Sequence, residues 1–130
     1  VAERSRDWFD QAQRNLESAR WQAQGGFHEW SCFICQQAAE MAIKGVYHKL
    51  GGEAWGHSVA QLLEGLKERE AVSEDLIACG RALDRYYIPA RYPNGWDTGS
   101  PKDYFTSEDA DRALGCAEAI LRFCQSLLAG

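Results

Sequence analysis

Residues 28–50 read HEWSCFICQQAAEMAIKGVYHKL. Within them Ile34, Cys35, Ala38, Met41, Ala42 and Val46 fall on one side of a 3.6-residue period, the arrangement that lets an α-helix bury a stripe. Gly25-Gly26 precedes the run and supplies the backbone freedom a tight reversal needs, while Gly51-Gly52 follows it as a left-handed helix cap demands. The stretch therefore predicts a long helix with a sharp turn at each end.

The same period recurs on both sides. Arg4 to Gln24 contains neither Pro nor Gly, and Phe9, Ala12, Leu16, Ala19 and Ala23 repeat at threes and fours, predicting a first helix. After Trp55-Gly56, a short helix from about His57 to Glu68 places Val59, Leu62, Leu63 and Leu66 on one side. Ser73 is the expected N-cap of a further helix with Leu76, Cys79, Leu83 and Tyr87 inward, stopped within a residue or two by Pro89. Thr106, with Asp109 as capping partner, should start the last helix, whose core face is Ala110, Ala113, Ala117, Ile120, Cys124 and Leu127, with Leu114 and Leu121 alongside. Four substantial helices, one short one and no competing strand pattern predict an all-α, antiparallel up-and-down four-helix bundle with a short extra helix, one domain over residues 1–130.

The chain has 130 residues, 45% of them hydrophobic, with five Trp, five Tyr and five Phe, enough to form a core. A formal charge of -5 argues against a duplex DNA binder, which needs a broad basic surface to displace counterions. No run of about 18 apolar residues is present to span a bilayer, and Val1-Ala2-Glu3-Arg4-Ser5-Arg6 lacks the apolar region of a signal peptide. Five cysteines, an odd number set mostly on apolar helix faces, suit reduced thiols, so a cytoplasmic location without membrane partners is expected.

Chemistry-bearing residues concentrate in Arg81 to Pro93. Arg81 and Arg85 share a helix face, Arg91 follows the helix end, and Tyr86, Tyr87 and Tyr92 lie among them. Guanidiniums fork onto phosphate oxygens and tyrosines stack on bases, so convergence here would suit a nucleotide. Alternatively the arginines pair with Asp84 and nearby carboxylates, and the tyrosines only pin the loop. The aromatic-rich stretch Arg85 to Phe105 is long enough, and carries enough rings, to be packed rather than loose.

On the second helix Gln37, Glu40, Lys44 and His48 form a polar stripe facing water, a partner or a polar pocket. His28, Cys32 and Cys35 have helical spacing that would serve a metal, but a fourth ligand is missing nearby and core packing is the expected role; no metal and no cofactor are predicted. His57, after the glycine-rich connection, either ties that loop down or belongs to a site.

Three pieces in order, Gln11-Ala12-Gln13-Arg14-Asn15-Leu16, Trp30 to Glu40 with Lys44, and Tyr87-Ile88-Pro89-Ala90-Arg91-Tyr92-Pro93, resemble the HEPN domain family. Gly56-His57-Ser58 before Leu62-Leu63 continues the match, which runs from about Asp7 to Cys124. Glu29 to Cys35 and Phe105-Thr106-Ser107-Glu108 are similar to the sacsin-type branch, which ends a large chaperone-like protein. The resemblance implies a helical bundle, commonly a homodimer, with one of two biochemistries. In one, the domain accompanies a nucleotidyltransferase or a larger protein and binds nucleotides. In the other it is a metal-independent ribonuclease, often a toxin, whose motif is an Arg followed four to six intervening residues later by His. Arg81, Arg85 and Arg91 have no His at that spacing, and His57 is the last in the chain, so the expected proton-transfer group is missing.

The resulting expectation is a non-catalytic domain binding a nucleotide or other phosphorylated ligand through Lys44, His57, Arg81, Arg85, Tyr87, Arg91 and Tyr92. The alternatives are a ribonuclease or a pure dimerisation scaffold. Trp8, Trp21, Trp30, Trp55 and Trp96 do not all fit the buried stripes, which predicts a symmetric dimer with the Arg-Tyr-Pro loop at or beside its interface.

Overall fold

The structure, a computed structural model, describes residues 3–129; Val1, Ala2 and Gly130, expected from the sequence to belong to the same domain, lie outside the described residues. Its five α-helices in chain order are α1 (Ser5–Gln24), α2 (His28–Lys49), α3 (Val59–Leu66), α4 (Glu74–Asp84) and α5 (Ser107–Ala129). They form an all-α bundle in which α1, α2 and α5 pack together, α3 pairs with α4, and α2 touches all four others. No helix among the described residues is long and apolar enough to cross a membrane.

The turn between α1 and α2 is as short as the paired glycines imply: Gly26 takes φ +85°, a conformation costly for any residue with a Cβ. The predicted caps form at two helices. Ser73 accepts from the Leu76 amide at 3.1 Å, and at α5 the Thr106 and Asp109 side chains each accept from the other's backbone N–H, at 3.3 and 2.8 Å respectively.

The buried faces follow the predicted period, with local corrections. Phe9, Ala12, Leu16 and Ala19 are buried on α1, whereas Ala23, near the open end, is only half-buried. On α2, Ile34 and Met41 are half-buried, while Gln36, Ala39, Glu40 and Ile43 are buried beside the predicted Cys35, Ala38, Ala42 and Val46. A helix packed by four neighbours has no single inward stripe, and small side chains let those neighbours approach. On α4 the inward face is Ile77, Gly80 and Leu83, with Leu76 and Cys79 at its edge. On α5 Leu128 takes the place expected for Leu127.

Two helix boundaries also differ from expectation. Helix α3 starts at Val59 rather than His57, because Ser58 acts as N-cap and accepts from the Gln61 amide. Helix α4 ends at Asp84, before Tyr87, where i→i−3 bonds from the Tyr86 and Tyr87 amides tighten the chain into a turn, and the Asp84 carboxylate turns to α3. It accepts from Ser58 Oγ at 2.7 Å, the Val59 amide at 2.7 Å and the Ala60 amide at 3.2 Å. A carboxylate at a helix N-terminus satisfies orphan N–H groups and opposes the helix dipole favourably. Beside it, Gly80 permits close approach: a Cβ there would lie 3.0 Å from the Ala60 backbone.

The segment from Arg85 to Phe105 is packed, as its rings suggested. Trp96 stacks on Tyr104 with centroids 3.9 Å apart, meets Phe105 edge-on, and donates from Nε1 to the Pro89 carbonyl at 2.9 Å.

Replacing Asp84 with Ala strands these α3 donors, each costing about 1–3 kcal/mol when buried without a partner. We expect Asp84→Ala to lower the free energy of unfolding in urea by about 2 kcal/mol and to speed amide exchange first at residues 59–61. An unchanged denaturation midpoint would remove the cap from the account of α3.

Candidate functional site

Helix α2 carries the site's interior wall. Gln36 is fully buried, and its Nε2 donates to the His57 carbonyl at 2.8 Å and to Glu40 Oε1 at 3.2 Å. One turn on, the Glu40 carboxylate receives the Lys44 ammonium at 2.9 Å and faces His57 Nδ1 at 3.1 Å. The Glu40 and Lys44 side chains are only 8% and 15% exposed, so this part of the predicted polar stripe is largely withdrawn from water and pairs within itself. His48, farther along, is exposed and stacks on Trp8.

The His57 imidazole stacks on the Tyr87 ring at 4.9 Å with planes 19° apart. On from Tyr87 the chain turns back, and Arg91 Nε donates to the Tyr87 carbonyl at 2.7 Å. This places the Arg91 guanidinium 4.4 Å from the Phe33 ring centroid, 4.6 Å from Tyr87 and 5.0 Å from Tyr92. A delocalised, weakly hydrated cation is attracted to such ring faces. Of the predicted residues, Lys44, His57, Tyr87, Arg91 and Tyr92 therefore lie in one connected row.

Arg81 and Arg85 are elsewhere, so the three guanidiniums do not converge. Arg81 Nη2 lies 4.0 Å from Glu64 on α3. Arg85 lines a cleft of about 570 Å³ between α4 and α5, together with Arg112 and Asp109. Asp84 pairs with neither arginine, because its oxygens cap α3. Ending α4 at Asp84 separates Arg85 from Arg91, since the turn that follows carries Arg91 back to α2.

Sequence reasoning did not single out Gln36, Phe33 or Asp84 as site-building residues. Gln36 stood inside the HEPN-like stretch, and a Gln within an otherwise apolar helical run is the signal that could have found it. His28, Cys32 and Cys35 do not assemble a metal site: no group of three such ligands comes together among the described residues. Cys32 and Cys35 are fully buried, and burial pushes the Cys32 thiol up to about 12 and Cys35 higher still, which disfavours the thiolate a metal requires.

Glu40 is the shared acceptor of the row, so its removal leaves the largely buried Lys44 ammonium without a counter-charge. Glu40→Ala is expected to cost about 3 kcal/mol of stability. It should also free the His57 ring from its orientation, read as loss of the ring-current shift on Tyr87 in NMR spectra. Retention of both stability and shift would show that Glu40 does not organise the row.

The comparisons with known proteins agree with this architecture. A family profile described as HEPN domain matches residues 5–127. Human sacsin is 27% identical over 126 residues, a match that covers 90% of this chain and 3% of sacsin's length. Among solved structures, the Thermus thermophilus protein TT1696 aligns with a TM-score of 0.94 at 42% identity, covering 97% of this chain and 99% of that one. An archaeal HEPN homologue aligns at 0.81 with 38% identity, over 96% of this chain and 98% of its own. A HEPN domain protein of Thermotoga maritima aligns at 0.79 with 36% identity, over 95% and 98%. Matched in sequence across residues 5–127 and in structure along nearly its whole length, the chain belongs to the HEPN domain family.

Proposed function

We propose that the domain is a non-catalytic HEPN module that binds a nucleotide or another phosphorylated ligand as a homodimer, in the service of a nucleotidyltransferase or a larger chaperone-like protein. The observation that carries this reading is the Arg91 guanidinium. Its Cζ lies 4.4–5.0 Å from the Phe33, Tyr87 and Tyr92 ring centroids, with Nε committed to the Tyr87 carbonyl. Nη1 also donates to the Tyr92 hydroxyl at 3.5 Å, which leaves Nη2 and the second N–H of Nη1 for phosphate oxygens, and the exposed Tyr92 offers a face to a base. In a chain of net charge -5 this is a local basic exception, which suits a small anionic ligand better than a nucleic-acid duplex. The exposed Trp30, Ile88 and Tyr92 border the same corner, and an interface there would bring two copies of Arg91 together. Similarity to a 3% portion of sacsin supports service on a larger protein.

One observation favours a second reading, the metal-independent ribonuclease. Although no His follows Arg91 in sequence, His57 and Arg91 both lie against the Tyr87 ring, and Glu40 faces His57 Nδ1. A carboxylate that accepts from Nδ1–H leaves Nε2 free as a proton acceptor, the orientation a general base needs.

Calorimetry with a panel of ribonucleotides at millimolar concentration tests the first reading. Measurable heat is expected, with affinity roughly tenfold to 100-fold weaker in Arg91→Ala, the range of a lost charge-assisted hydrogen bond. No heat from any nucleotide would overturn it. Purified protein incubated at length with RNA in chelator should leave the RNA intact; cleavage abolished by His57→Ala would replace the binding reading with the enzyme. Light scattering at micromolar concentration should give the mass of two chains, with Tyr92→Ala shifting the protein toward one. A single-chain mass at every concentration would remove the dimer.

A further inference from the structure

We infer that the cleft between α4 and α5 is a thiol-exchange site, at which Cys79 takes up a small anionic disulfide and Cys116 resolves the adduct by cross-linking the two helices. Neither thiol belongs to the Arg91 corner, so the inference stands apart from the nucleotide reading.

Helix packing sorts the five cysteines into two groups. Cys32, Cys35 and Cys124 are fully buried, out of reach of a reagent in solution. Burial also pushes their thiols up, which withholds the nucleophilic thiolate. Cys79 and Cys116 are half-buried and line one cleft of about 570 Å³, Cys79 on α4 and Cys116 on α5. The Cys116 S–H donates across it to the Cys79 sulfur. Burial first, then this hydrogen bond and charge at Cys79, push the Cys116 thiol up to about 12. Cys116 thus keeps its proton and holds it toward the Cys79 sulfur, which makes Cys79 the attacking partner.

Two features of the cleft point to what enters it. Gly115 is exposed in the cleft wall beside Cys116, at a point inside α5 where a Cβ would meet nothing within 4 Å. Glycine inside a helix is destabilising relative to alanine, and packing gives no reason for it here. Its effect is to leave the approach to the thiols open. Arg85 lines the same cleft and forms no ion pair among the described residues, whereas Arg112 is answered by Asp109 at 2.6 Å. One uncommitted guanidinium near the thiols favours a disulfide that carries carboxylates over a neutral one.

The exchange takes two steps. The Cys79 thiolate attacks one sulfur of the reagent RSSR; the reagent's S–S bond breaks, a Cys79–S–SR bond forms, and RS⁻ leaves and takes up the proton that Cys79 released. With Cys79 neutralised, burial is the one cause left to hold the Cys116 proton. Cys116 then gives up that proton and attacks the Cys79 sulfur, the mixed disulfide breaks, and the second RS⁻ leaves and is protonated. Two cysteine thiols are oxidised to one disulfide, and RSSR is reduced to two RSH.

The test is incubation of the reduced chain with glutathione disulfide, quenched with acid at intervals and mapped by peptide mass spectrometry. One glutathione should appear first on Cys79, followed by a Cys79–Cys116 cross-link, while Cys32, Cys35 and Cys124 remain thiols. Cys116→Ser should stop at the Cys79 adduct, and Cys79→Ser should lose both the early adduct and the cross-link. Arg85→Gln should slow the first step about twofold to fivefold, the range of one exposed charge pair, and leave the rate with neutral hydroxyethyl disulfide unchanged. Gly115→Leu, a good helix former where a Cβ meets nothing, should keep the helical circular dichroism and slow the reaction with both reagents. First modification at Cys116 or at a buried cysteine would overturn the assignment, as would a Cys79 adduct that never gives way to the cross-link. An undiminished rate with glutathione disulfide in Arg85→Gln would overturn the anionic preference.

Discussion

A buried amide and a buried carboxylate one turn apart on the central helix impose the constraint around which the rest is arranged. Gln36 and Glu40 are packed among four other helices, where an unmade hydrogen bond costs far more than it would on the surface. Their partners must therefore come to them. Gln36 draws in the His57 carbonyl, and Glu40 holds Lys44 and the His57 ring, so a connection rich in glycine is tied to α2 at its last residues. The next residue, Ser58, caps α3, and the Asp84 carboxylate of α4 reaches both Ser58 and the first amides of α3. Beyond Asp84 the chain turns and sets Arg91 against Phe33, on α2 again. The polar contacts thus form a circuit that begins and ends on the same helix.

That circuit explains the separation of the arginines. Had Asp84 remained an ordinary helix-surface carboxylate, Arg81, three residues earlier on α4, would have been its natural partner. Because its oxygens are committed to α3, Arg81 turns to Glu64 and Arg85 lines the α4–α5 cleft. Arg91 is the guanidinium left in an aromatic setting. Cation–ring attraction there needs no counter-ion, and with Nη1 donating once to the Tyr92 hydroxyl, Nη2 remains available to an anion.

Aromatic placement follows a related logic. Trp96 and Tyr104 stack face to face and close the long segment over the bundle end, so they are spent on structure. Trp55 and Trp21 are exposed instead, and Trp8 is half-buried against His48. Of the rings that the core does not use, Tyr92 stands beside Arg91, while Trp8 and Trp55 border Lys44, whose charge Glu40 already meets.

The sequence by itself determined the helical elements, their approximate order in the bundle, the tight turn at Gly25-Gly26, the caps at Ser73 and Thr106, and the family resemblance. These signals are local: a period of 3.6, a side-chain oxygen three residues before the amide it accepts from, a glycine where φ is positive. They act between near neighbours in the chain and can be read there. Tertiary structure alone decided that Gln36 and Glu40 lie inside, that α4 stops at Asp84, that Arg91 and not Arg81 or Arg85 joins His57 and Tyr87, and that Trp8 and Trp55 border one cleft. Each of those outcomes pairs groups distant in sequence. Their partners are chosen by which helices enclose α2 and by the need to satisfy polar groups once it is enclosed.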